Sequence, residues 1–79
     1  MTAKEWLQNF AALLGVEPPN GAEIRDLLEI AGEAAHGSER IAAPVACWLI
    51  ARAGVAPAEA LARIKQWKID GVLPDTTPS

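Results

Sequence analysis

Ile41-Ala42-Ala43-Pro44-Val45-Ala46-Cys47-Trp48-Leu49-Ile50-Ala51 is the stretch that decides the architecture. These eleven residues form the longest apolar run of the chain and contain no charge. A helix needs about 20 apolar residues to cross a bilayer, so the run is too short to span one. Its reading is a buried helix. Pro44 suits the first helical turn, where its missing N–H leaves no bond unmade. The same proline disfavours helical geometry at Ala43, so the helix is expected over residues 44–53, with Gly54 as its stop. A helix apolar on all sides is expected at the centre of the fold. Cys47, the only cysteine, lies within it and reads as a small buried hydrophobe.

Working outward, Thr2-Ala3-Lys4-Glu5 has the form of a capping box, and Trp6, Phe10 and Leu14 then recur every four residues. Gly15 stands where a left-handed cap belongs and Pro18-Pro19 prevents continuation, so a first helix covers about residues 3–14. Asn20 and Glu23 form a second capping box. Ile24, Leu27, Leu28, Ala31, Ala34 and Ala35 follow a 3.6 period, with Asp26, Glu29 and Glu33 on the other side. The second helix is expected over 21–36 and Gly37 as its terminator. Pro57 opens a fourth helix over about 57–70, in which Leu61, Ile64 and Trp67 keep an apolar spacing and Glu59 pairs with Arg63 at i,i+4. No strand-like alternation, repeat or low-complexity tract interrupts this pattern. The fold class is therefore all-α, a small four-helix bundle forming a single domain over 1–71, with residues 72–79 as a flexible tail.

Size and charge restrict what such a bundle does. The chain has 79 residues and a net charge of −3. A folded chain of this size buries only about 60–65% of its unfolded surface, so an assembly partner is a reasonable expectation. The acidic balance (pI ≈ 4.9) argues against nucleic acid, which needs a clustered basic surface. Residues 1–40 are net −4 and residues 41–79 net +1, an asymmetry that either orients a partner or marks a solvated acidic face. The N-terminal residues lack an apolar segment of secretory type, and the expectation is a soluble cytoplasmic protein without a membrane segment.

Catalytic groupings are missing. There is no Gly-rich phosphate loop, no C-x-x-C and no H-E-x-x-H, and one His with one Cys cannot complete a zinc site in a single chain. No enzyme activity, cofactor or resident metal is expected. The one chemically dense stretch is Ala35-His36-Gly37-Ser38-Glu39-Arg40-Ile41-Ala42-Ala43-Pro44. In one reading, Arg40, His36 and Ser38 bind a small anion, helped by backbone N–H groups at the start of the third helix. In another, His36 joins Glu33 or Glu39 at a metal shared across an oligomer interface. The plainer reading is that His36 caps carbonyls of the second helix while Arg40 pairs with Glu39, Glu33 or a carbonyl. Trp6, Trp48 and Trp67 all fall on apolar helix faces, and a chain this small seldom hides three indoles. Trp6 and Trp67 are the candidates for an interface with a protein partner or a second copy, because the third helix is expected to be central.

Taken in order, Trp6-Leu7, Leu13-Leu14-Gly15-Val16, Leu27-Leu28, Ala35-His36-Gly37 and Arg40-x-Ala42-Ala43-Pro44 carry a resemblance. The chain resembles a small bacterial helical domain of unassigned function, found alone or fused to molybdenum-cofactor guanylyltransferases. That family is marked by an Ala-His-Gly-x-x-Arg-Pro-Ala-Ala-Pro stretch before an apolar helix. His36, Gly37, Arg40, Ala42, Ala43 and Pro44 match it, Ile41 stands where the family has proline, and Trp48 stands near its usual Phe. The resemblance covers about residues 5–55. It implies an all-α accessory domain beside molybdenum-cofactor assembly enzymes, and it supplies no reaction.

Overall fold

A computed structural model describes residues 1–71; the expected tail, 72–79, lies outside them. The fold is all-α, with α1 Ala3–Leu14, α2 Gly21–Gly37, α3 Ala42–Ala53 and α4 Pro57–Asp70. Both capping boxes form. Thr2 Oγ1 accepts from Glu5 N (3.1 Å) while Glu5 Oε1 accepts from Thr2 N (2.9 Å). Asn20 and Glu23 do the same at 2.8 Å in each direction. Each box satisfies two of the N–H groups that a helix start leaves unpaired. At the other end of α1, Gly15 adopts φ +75, so that its N–H reaches Ala12 O (3.1 Å) and that of Val16 reaches Ala11 O (3.0 Å). Gly54 closes α3 in the same left-handed conformation.

Two helix limits differ from those expected. Gly37 is the last residue of α2 rather than a left-handed terminator, and Ser38 is the cap. The Ser38 hydroxyl donates to Ala34 O (2.7 Å) and its N–H to the same oxygen (3.1 Å), so the polar side chain closes the helix without positive φ. α3 begins at Ala42, two residues early, and Ala43 is helical despite preceding Pro44. The N–H groups of Ala42 and Ala43 donate to Glu39 O (2.9 Å) and Arg40 O (3.1 Å), a tight turn that leads into the helix. Pro44 is then the third helical residue, still within the turn whose N–H groups lack intrahelical partners. The local bias at Ala43 yields to these two hydrogen bonds.

The larger correction concerns the centre. α2, not α3, is the helix against which the others pack, with α3 on one side and α4 on another. Ile30 of α2 is fully buried (0% exposed) against Ala60 and Leu61 of α4, with Ile50, Val55 and Ile64 partly buried around them. α3 contributes no buried residue, and Cys47 is half-buried rather than enclosed. An all-apolar helix reaches the surface here because α2 covers only one side of it. α1 is more detached still. None of its residues joins the central cluster, and Ala11 is its one buried side chain (5% exposed).

Charge complements this packing. Glu29 of α2 pairs with Lys65 of α4 (3.5 Å), and Glu33 with Lys68 (2.8 Å). The acidic first half and basic second half are thus partly matched within the chain, with α2 and α4 running in the same direction. Arg25 lies 3.9 Å from Asp26, and the expected Glu59–Arg63 pair forms on α4.

Because one side chain anchors so small a core, Ile30→Ala is expected to cost about 3–5 kcal/mol. That is a large share of the roughly 4–12 kcal/mol such a domain commands. Phe10→Ala on the detached α1 should cost less than about 1 kcal/mol. Urea unfolding followed by far-UV circular dichroism separates the two.

Candidate functional site

His36, Ser38 and Arg40 all lie at the surface where α2 turns into α3. Among the described residues no hydrogen bond joins the three side chains to one another. Ser38 Oγ is spent on Ala34 O. The N–H groups of Ala42 and Ala43 are committed to carbonyls, and Pro44 has none, so the first turn of α3 presents little to an anion. Arg40 has no side-chain hydrogen bond or ion pair among the described residues; Glu33, one of its expected partners, is held by Lys68. His36 likewise makes no side-chain hydrogen bond among the described residues. No group of three or more His, Cys, Asp or Glu side chains in this region is arranged to hold a metal.

The tertiary fold does bring His36 beside Trp67, a pairing that no local spacing announces. Both line a cleft of about 290 Å³ between the C-terminal ends of α2 and α4, together with Glu33, Ala46, Ile64 and Lys68. The Glu33–Lys68 pair contributes the charged part of its lining, and Trp67, 41% exposed, contributes an aromatic surface. The walls are mostly carbon, with small residues Ala34, Gly37 and Ala46 leaving the space open.

Two apolar faces are more extensive than this cleft. On α1, Trp6 and Phe10 stack with ring centroids 5.0 Å apart at a tilt of 32°, and they are 54% and 41% exposed. Leu13 and Leu14 continue the exposed row. On α3, Val45, Trp48 and Leu49 face outward, and the Arg52 guanidinium lies 5.4 Å from the centroid of the Trp48 ring. Trp48 is therefore as much a surface residue as Trp6 and Trp67. Its omission from the expected interface followed from treating α3 as central, although Arg52 four residues on already signalled a half-solvated face. A groove of about 290 Å³ runs between α3 and α4 from Leu49 and Ala53 to Val55 and Ile64, with Arg63 also lining it. Among the described residues no single helix is long and apolar enough to cross a membrane.

Exposed and free of any partner among the described residues, Arg40 should be dispensable for folding. Arg40→Ala is expected to change stability by less than about 0.5 kcal/mol, whereas Ser38→Ala should cost about 0.5–1.5 kcal/mol through its lost cap bond. Thermal unfolding of both variants tests this.

Comparison with known proteins adds one finding. No curated protein and no solved structure matches the chain. A family model covers residues 1–72, nearly the whole length. The chain belongs to the family described as a domain of unknown function, DUF6457.

Proposed function

We propose that this domain is a non-enzymatic accessory module of the cytoplasm that binds protein through its apolar helix faces. The observation that carries the reading is the imbalance between core and surface. Of the described residues only Ala11, Ile30, Ala60 and Leu61 are buried, while three tryptophans, Phe10 and a row of leucines lie open to water. Apolar groups scattered singly on a surface are ordinary, but contiguous rows containing Trp are characteristic of binding hot spots. The partner is a second copy or another protein. The similarity read from Ala35 to Pro44 supports an enzyme of molybdenum-cofactor assembly as that other protein.

Sedimentation velocity between about 1 and 100 µM, with affinity capture by the wild type and by Trp6→Glu and Trp48→Glu controls, tests the proposal. Association or capture that either control weakens at least tenfold supports it. A strict monomer that captures nothing overturns it. A second reading, an anion held by His36 and Arg40, draws on the unpartnered Arg40 side chain. Its check is a thermal-shift screen with phosphate, molybdate and nucleotides, in which Arg40→Ala should abolish any rise in melting temperature.

A further inference from the structure

We infer that the outer face of α3 docks one helix of a protein partner, and that this helix brings a carboxylate to Arg52. The inference rests on the reading of the domain as a protein-binding module and names the kind of partner. α3 carries two stripes. One, made of Ala42, Ala46, Cys47 and Ile50, is half-buried, and α2 is the helix that α3 packs against. The other, made of Ile41, Val45, Trp48 and Arg52, is exposed along its whole length. Its members stand four, three and four residues apart, which is the spacing of a knobs-into-holes seam. A row this narrow matches a facing helix. At a rise of 1.5 Å per residue the seam runs about 16 Å, three turns of such a helix.

Charge selects the sign of that helix. In a chain of net charge −3, no acid occurs from Arg40 to Ala58. Arg25, Arg63, Lys65 and Lys68 each have a carboxylate partner, whereas Lys4, Arg40 and Arg52 have none among the described residues. Of these three, Arg52 belongs to the seam. Its guanidinium lies 5.4 Å from the centroid of the Trp48 ring, four residues back on the same stripe. An arginine stacked in this way keeps its fork of N–H groups free for paired bonds to a carboxylate. Glu39, the nearest acid in sequence, stands at the opposite end of the seam, and Glu59 is held by Arg63. The stripe thus offers three apolar knobs and one uncompensated cation. Trp and Arg are among the residues most enriched at binding hot spots. An anionic lipid surface would also satisfy the cation, but an interfacial helix buries a broader apolar face than this single row.

The probes are two stapled helical peptides that share one leucine seam, flanked by Glu in the first and by Lys in the second. Each is titrated into the full chain and followed by amide NMR. The Glu peptide is expected to shift the signals of Val45, Trp48 and Arg52 and to bind at least about tenfold more tightly than the Lys peptide. Arg52→Glu should invert that preference, and Trp48→Ala should weaken the Glu peptide at least tenfold. Both positions are exposed within one chain, and circular dichroism should confirm that both variants fold. Equal affinity for the two peptides overturns the inference. So does a preference that survives Arg52→Glu, or a set of shifts centred on α1 or on the cleft beside Trp67. A dimer of the full chain that Trp48→Ala dissolves would make a second copy the occupant, and adsorption to phosphatidylserine vesicles that Arg52→Glu abolishes would make it a lipid surface; either result overturns the inference. If neither peptide binds, the inference fails, and capture of a protein that Trp6→Glu abolishes but Arg52→Glu does not leaves the module reading standing. A monomer that binds neither peptide and captures nothing overturns both.

Discussion

Ile30 is the constraint on which the fold depends. Among the described residues it is the only large side chain completely withdrawn from water, and it sits where α2 meets Ala60 and Leu61 of α4. The alanine at 60 matters as much as the leucine at 61, since a small residue lets the helices approach until the isoleucine has no gap around it. Everything else is arranged around this contact. α3 is held against α2 partly through Ile50, and Val55 in the short turn after Gly54 closes the cluster from the end. Lys65 and Lys68 reach across to Glu29 and Glu33, helping to set the register in which Ile30 is covered. Such exposed pairs contribute little energy individually, so their role here is orientation more than stability.

A core this small has a consequence for function. With α2 occupied on its α3 and α4 sides, none of the described elements covers the outer face of α3 or the ring-bearing face of α1. Those faces are not polar, as a solitary domain would have them; they carry Trp48, Leu49, Trp6 and Phe10. The described residues thus leave a large apolar surface exposed, which is the physical content of reading the domain as a binding module. The dense polar corner at His36 to Arg40 serves the fold first. Ser38 terminates α2, and the carbonyls of Glu39 and Arg40 anchor the start of α3. His36 is the member that reaches beyond this role, because the α2–α4 packing sets it in a cleft with Trp67.

The four helices were legible along the chain because their limits are local chemistry. Thr2 with Glu5 and Asn20 with Glu23 announce two starts, Gly15, Gly54 and Gly71 announce three ends, and each operates through hydrogen bonds within a few residues of sequence. Where two local signals competed, the reading went astray: Pro44 argued against a helical Ala43, yet the carbonyls of Glu39 and Arg40 decided otherwise. Membership of the candidate site was only partly legible. His36 and Trp67 were singled out separately, for a polar corner and for an interface, and nothing in their 31-residue separation suggested a common cleft.

Periodicity and capping chemistry thus determined, from the sequence by itself, that this chain makes four helices, three with an apolar side and one, α3, apolar nearly all round. Which of those sides would be covered was a tertiary decision. Hydropathy reports that a residue prefers to leave water, not whether a neighbour is available to exclude it. α3 is the most apolar helix and was read as the centre, but centrality depends on how many helices can surround it. α2 obtained that place because Ile30 fits the small and branched surface of α4 on one side while α3 packs on another. Trp48 and Trp6 were left at the surface by that geometry, since no neighbouring helix was placed to exclude water from them.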